Sequence, residues 1–352
     1  MKKIIIILIS VILVCVIALF CTYNFMIKAP SKKSEEVIFN VAQGSSYSTI
    51  ASSLKEKGLI KNDIVYKIYL KLNPVSEQLE YGDYKLNKNY DIEELISVLK
   101  KGSITLANTV KITFKEGKNV RHFIKSLNDN LKITEEEVLN KLSDSNYLDS
   151  LIEKYWFLTD EIKNKDIYYS LEGYLYPDTY EFYTTASVED VIAKMLDNYS
   201  KKVEPYKSKI EKSKYNVHEI TTLASIIELE AGGADRKKVS GVFYNRIKKG
   251  MSLGSDVTGY YGAKMDDWTN GLGSHVNDCN GYNTRGTCVK ALPVGPICNP
   301  SVKSIEAAIE PDSHKYYYFV ADCKGKTYLT KTYNEHLNII NKLKRENSWC
   351  DK

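Results

Sequence analysis

The residues best placed to do chemistry lie together in Thr221–Gly233, which reads TTLASIIELEAGG and carries Glu228 and Glu230 one residue apart. Ile220, Leu223, Ala224, Ile227 and Ala231 recur at three- and four-residue steps, the period of an amphipathic helix. At ~100° per residue, Glu230 falls about 60° from the centre of that apolar stripe and Glu228 about 100°, on its border. A carboxyl group among apolar neighbours resists ionisation, so its pKa rises and it can serve as a general acid near neutral pH. The pattern therefore selects Glu230 as the acid and leaves Glu228 as a possible helper. A border glutamate is more often the partner of a lysine or arginine, and a lone acidic residue on a helix often only holds structure. Gly232 and Gly233 supply the expected helix stop.

A large scaffold is available to position that helix. The chain has 352 residues and a net charge of +5, with acidic and basic residues interspersed. No basic stripe of the kind nucleic-acid binders need is present, so no nucleic-acid partner is expected. A mildly basic chain suits an anionic cell-envelope polymer, and simple solubility explains it equally well. Residues 1–3 are followed by Ile4 to Met26, which contain no charged residue. That run exceeds the ~20 residues a bilayer requires and is too long for a cleavable signal peptide. It reads as an uncleaved single-pass anchor at the cell membrane, with the N-terminus cytoplasmic and the rest extracytoplasmic. Lysines on both sides, Lys2 and Lys3 against Lys28, Lys32 and Lys33, leave the positive-inside signal weak.

Five cysteines lie beyond that run: Cys279, Cys288, Cys298, Cys323 and Cys350. The closest pair, Cys279 and Cys288, would close a short loop, and an odd number leaves a thiol over. No C-x-x-C pair occurs and the histidines are scattered, so neither a metal site nor a cofactor is expected.

Along the chain, residues 27–36 read as a linker and 37–104 as a strand–helix–helix–strand–helix unit, its helices over 47–57, 63–72 and 92–101. Its opening strand, Gln43-Gly44-Ser45-Ser46 and helix resemble a LysM-type glycan-binding module; a packing domain without ligand fits the pattern equally well. A boundary near Thr105–Thr109 leads into a larger α+β domain over 110–345. There, Leu171–Tyr180 is an aromatic-rich turn whose tyrosines, with Tyr183, could stack on sugars, although aromatics so dense are more often core. Residues 251–258 read as a polar loop. A long glycine- and asparagine-rich loop spans 267–298.

Several segments, taken together and in order, resemble the YceG-like family of endolytic murein transglycosylases. They include EGYLYPDTY at 172–180, ASIIELE at 224–230, VFYNR at 242–246, LGSDVT at 253–258, YNT at 282–284, LPVGPICNP at 292–300, YFVA at 318–321 and KTYNEH at 331–336. The resemblance implies an α+β enzyme with a single N-terminal anchor and a LysM-like module, in which Glu230 is essential. It implies cleavage of the β-1,4 bond between N-acetylmuramic acid and N-acetylglucosamine within nascent strands, leaving 1,6-anhydro ends. It further implies work beside cell-wall synthases such as penicillin-binding proteins, as a terminator of strand elongation. Asn245, Ser255, Asp256, Thr258, Tyr282, Asn283 and Thr284 would then face the substrate, although loop capping accounts for such residues nearly as well. The chain departs from the family pattern at Val257 and Gly259, where proline and valine are usual, at Arg285, usually tyrosine, and at Ala291 and Val294, usually glycine and proline. Two rivals remain at this level: a non-catalytic glycan-binding scaffold, and a hydrolase using Glu228 or Asp256 as second carboxylate.

Overall fold

The computed structural model describes residues 2–102, 109–231 and 235–349, without the side chains of 2–9, 11, 12 and 15. The expected helix stop at Gly232–Gly233, most of the expected boundary at 105–109, and Cys350 lie outside the described residues. The chain forms two compact units, residues 1–109 and 110–352.

In the first unit, helix α1 runs from Lys2 to Met26. Among the described residues no helix is long and apolar enough to cross a membrane, the side chains of 4–9, 11, 12 and 15 lying outside the description. Strand β1 (Glu36–Val41) pairs antiparallel with β2 (Gly82–Asn87), Glu36 opposite Asn87 and Val41 opposite Gly82. Between them lie α2 (Ala51–Glu56) and α3 (Asp63–Leu72), and α4 (Ile92–Lys100) follows. Alternation puts Phe39 and Val41 of one strand and Tyr84 and Leu86 of the other on the face that packs against Leu54 and Leu95. Asp91 and Glu94 form the capping box that starts α4. The helix expected from Tyr47 begins only at Ala51. Thr49 Oγ1 accepts from the Ser46 amide at 2.8 Å and donates to the Ser46 carbonyl at 3.0 Å, which holds the intervening residues in a turn.

The second unit is a helical body with two small sheets, so the chain is α+β. Strand β3 (Thr109–Thr113) pairs with β4 (Thr179–Tyr183). Helices α5 (Val120–Leu131), α6 (Glu135–Ser143), α7 (Ser145–Lys154), α8 (Val188–Val203) and α9 (Lys207–Glu211) precede α10 (Val217–Glu230) and share one core with it. Then come α11 (Arg236–Lys249), α12 (Asp256–Gly262) and α13 (Val302–Ile309). The hairpin of β5 (Tyr318–Ala321) and β6 (Thr327–Thr330) and helix α14 (Tyr333–Arg345) close the chain. Residues 251–258, expected as loop throughout, enter α12 at Asp256. The long 267–298 segment holds one 3-10 turn, Gly273–Asn277, and a disulfide between Cys279 and Cys288. Cys298 is a buried free thiol that donates to the Ser225 carbonyl at 3.3 Å.

The tyrosine-rich turn belongs to the core. Tyr174, Tyr176 and Tyr180 are buried, and Tyr174 lies 5.5 Å from Tyr199 ring to ring, so these rings are not available to a sugar. Gly173 makes the turn possible. Its φ of 89° lies in the left-handed region, and a Cβ there would stand 2.5 Å from Pro296 Cβ.

Beside it, Glu172 is 2% exposed and acts as a buried hub. Its carboxyl accepts from the Val120 amide and the Tyr261 hydroxyl, both at 3.0 Å, and from Asn299 Nδ2 at 3.3 Å. Burial pushes its pKa up to about 7, against the lowering effect of those donors. Between its ordinary value and about 7 the folded chain holds a proton that the unfolded chain has lost, so stability falls as pH rises through that window. In Glu172→Gln that downward slope is expected to vanish, as read by denaturant midpoints from pH 4 to 8, on the order of 3 kcal/mol at full development.

Candidate active site

Helix α10 is the axis of the site. Asn216 and Glu219 form its capping box, and from Val217 to Ile227 every residue except Glu219 is buried. It therefore has no exposed face until its last turn, where Glu228, Leu229 and Glu230 are half-buried. Ser225 anchors a distant segment to this helix: its hydroxyl accepts from the Ile297 amide at 3.0 Å.

The two carboxylates diverge. Glu228 turns inward toward α13. Its oxygens accept from the Ser301 amide at 2.9 Å and the Ser301 hydroxyl at 2.6 Å, and Arg236 Nη2 stands 3.2 Å away. Its side chain is only 6% exposed. Burial works to raise its pKa, but the Ser301 hydrogen bonds and the Arg236 charge together hold it below the usual range. It also sits at the N-terminus of α13, where unpaired amides favour a negative charge. Periodicity had placed Glu230 deeper than Glu228; in the structure both end half-buried, and Glu228 is tied to the start of α13. The expected pairing of Glu228 with a cation is what the geometry contains.

Glu230, the last residue of α10, accepts a 2.6 Å hydrogen bond on Oε1 from Ser255 Oγ. Ser255 is fixed in turn by its neighbours. Its amide donates to Thr284 Oγ1 at 3.1 Å, and its carbonyl accepts from Thr258 Oγ1 at 2.7 Å. Thr258 and Thr284 share a 2.8 Å hydroxyl contact. The Ser255, Thr258 and Thr284 side chains thus form one buried polar lattice behind Glu230, and their hydroxyls are occupied in orienting it.

The remaining expected substrate contacts are placed differently. Asn283 is buried; its Nδ2 donates to the Val276 and Asp278 carbonyls at 3.0 and 2.9 Å, bracing the disulfide loop. Tyr282 is buried, with its hydroxyl accepting from the Tyr168 amide at 3.0 Å. Asn245 Nδ2 donates to the His314 and Tyr316 carbonyls at 2.9 and 3.0 Å. Asp256 is half-exposed and ion-paired with Arg285 Nε at 3.0 Å. The structure therefore gathers Ser255, Thr258 and Thr284 around Glu230, while Asn245, Tyr282 and Asn283 brace the surrounding backbone.

Sequence reasoning passed over Arg246, although it lies in the VFYNR segment. Arg246 Nε donates to the Tyr317 carbonyl at 2.6 Å, Nη1 donates to the Leu253 carbonyl, and the guanidinium stands 5.1 Å from the Tyr318 ring centroid. Burial lowers its pKa, while the neighbouring Tyr318 and Glu230 act to raise it, so its charge is felt at Glu230. The only hint in the sequence was its position one turn after Val242 and Phe243. Among the described residues, no cluster of histidine, cysteine or carboxylate side chains could hold a metal.

The YceG-like family matches residues 39–342. This chain belongs to the YceG-like family. It is 37% identical over 320 residues to the endolytic murein transglycosylase of Bacillus subtilis, spanning 89% of this chain and 87% of that protein. It is 31% identical over 326 residues to the Streptococcus pneumoniae protein of the same name, spanning 88% of this chain and 58% of that longer relative. The crystal structure of a putative YceG-like protein from Listeria monocytogenes aligns with a TM-score of 0.61 at 32% identity, covering 87% of this chain and 100% of the other.

The departures from the YceG-like pattern have physical compensations. Val294, where proline is usual, has an amide that donates to the Gly281 carbonyl at 2.9 Å, a bond proline could not make. Arg285, in place of tyrosine, supplies the cation for Asp256. Gly259 lets the long loop close in, because a Cβ there would lie 2.9 Å from Leu272 Cδ1. Gly259→Val, which restores the usual residue, is therefore expected to destabilise the chain by about 1–3 kcal/mol through overpacking, read as a lower thermal midpoint. Leu272→Ala in the same chain is expected to recover part of that loss, as a double-mutant cycle would show.

Proposed function

We infer that this chain is a murein lytic transglycosylase with Glu230 as its catalytic residue. The observation that carries the assignment of roles is the single-carboxylate character of the site. Glu230 is oriented by Ser255 at the C-terminal end of α10, while Glu228 is committed to Arg236 and Ser301, and Asp256 to Arg285. Hydrolases of glycosidic bonds generally need a second carboxylate, to activate water or to attack the sugar. A lytic transglycosylase does not, because the nucleophile is the muramyl O6 of the substrate itself, and proximity replaces activation of a bound water. Glu230 in its protonated form would donate to the glycosidic oxygen between N-acetylmuramic acid and N-acetylglucosamine. As a carboxylate it would then accept the O6 proton as O6 closes on C1 to give the 1,6-anhydro end. The Ser255 hydroxyl, held by Thr258 and Thr284, fixes the rotamer that both proton transfers require.

The membrane anchor is part of the same proposal. The uncharged Ile4–Met26 run lies within one helix, and its described side chains include exposed Leu19 and Phe20. An extracytoplasmic catalytic unit agrees with the Cys279–Cys288 disulfide. The strand–helix–helix–strand order of the first unit, with its strands antiparallel, supports a LysM-like glycan-binding role. Action beside cell-wall synthases, terminating strand growth, fits a membrane-held enzyme that cuts nascent strands.

The deciding experiment digests uncrosslinked glycan strands with the detergent-purified full chain and reads the new ends by mass spectrometry. Internal fragments ending in 1,6-anhydromuramic acid are expected. Fragments whose new ends carry one added water would overturn the transglycosylase mechanism, and no fragments from the folded chain would overturn the enzyme.

A further inference from the structure

An enzyme that cuts inside a strand must grip sugars on both sides of the broken bond, and the hydroxyls beside Glu230 are occupied in orienting it. The tyrosines of the 171–180 turn are in the core. Aromatic rings suited to the task occur elsewhere, on the C-terminal hairpin and helix. Tyr318 of β5 lies 5.6 Å from His336 and 5.9 Å from Tyr333, both on α14, ring centroid to ring centroid. The Tyr318 and His336 rings are near parallel, with an interplanar angle of 30°, and Tyr333 is 57% exposed.

This group continues outward from the catalytic residue. Arg246 stands over Tyr318 at 5.1 Å, and its guanidinium hydrogen-bonds the Leu253 carbonyl, two residues before Ser255. A Cβ on the intervening Gly254 would lie 3.1 Å from Arg246 Nη1, so the backbone that carries Ser255 rests against this arginine. The path from Glu230 through Ser255 and Arg246 to Tyr318 is therefore continuous contact.

We propose that Tyr333, backed by Tyr318 and His336, forms a saccharide-stacking subsite that holds an N-acetylated sugar of the glycan strand cleaved at Glu230. The C–H face of a pyranose ring packs on an aromatic face, and the exposed ring of Tyr333 offers such a face to solvent. Arg246 links the subsite to the catalytic carboxylate, so a sugar seated there registers the strand against Glu230.

The proposal rests on the transglycosylase assignment, and two measurements separate the two. In the full chain, Tyr333→Ala is expected to raise the half-saturating concentration of uncrosslinked glycan strands about tenfold, with kcat within about twofold of wild type. Tyr333→Phe, which keeps the ring, is expected to behave as wild type. Retention of the same strands by the Glu230→Gln chain, with and without Tyr333→Ala, reads the subsite without catalysis. Weaker retention in the double variant supports it. Equal retention, or unchanged half-saturation in both Tyr333→Ala and Tyr318→Ala with the fold intact, overturns it whether or not the wild type cleaves.

Discussion

Glu230→Gln is expected to lower strand cleavage by about 10³–10⁴-fold while leaving the fold intact. Removing one general acid–base group typically costs a factor of ~10²–10⁴, and here both proton transfers pass through the same side chain, which places the loss at the upper end. Glutamine is isosteric with glutamate, and its Oε1 can still accept the Ser255 hydroxyl now 2.6 Å from Glu230. The thermal midpoint is therefore expected to stay within a degree or two of wild type. The check is mass spectrometry of digested strands alongside a melting curve. Undiminished production of anhydro ends by the variant would remove Glu230 from the mechanism.

Glu228→Ala is expected to do the reverse, destabilising the chain strongly with little effect on the chemistry of the molecules that remain folded. Arg236, 16% exposed, would lose its carboxylate, and the Ser301 amide and hydroxyl would lose their acceptor. Breaking one side of such a buried pair typically costs about 3–5 kcal/mol. Replacing both partners, as Glu228→Met with Arg236→Met, is expected to cost less than the alanine change alone, because no charge is left stranded. All three tryptophans, at 156, 268 and 349, lie in the second unit, so fluorescence during urea unfolding reports on that unit alone. A stable Glu228→Ala chain that has lost cleavage would instead make Glu228 a second catalytic carboxylate and revive the hydrolase.

Much of the chain was legible from residue order. The helix that carries Glu230 and the helix over 63–72 both rest on local rules: periodicity, and the turn residues that bound each. These act over a few residues, so they survive in the sequence whatever the rest of the chain does. Glu230 emerged from the same periodicity, and the motif order pointed to the same residue.

The relations that span long stretches of chain were decided by the tertiary structure. A helical wheel assumes one buried face, but α10 is enclosed on all sides until its last turn, so the wheel could not rank the two glutamates. Ser301, 73 residues from Glu228, and Ser255, 25 residues from Glu230, determine which partner each carboxylate meets. The same holds for the tyrosines: composition could not tell the buried rings of 174–180 from the solvent-facing ring at 333. Tyrosine and asparagine at 282 and 283 suggested substrate contacts because their side chains hydrogen-bond, yet each serves a backbone group instead, Tyr282 the Tyr168 amide and Asn283 the Val276 and Asp278 carbonyls. Residue type thus determined what each side chain could bond to, and the fold determined which partner reached it first.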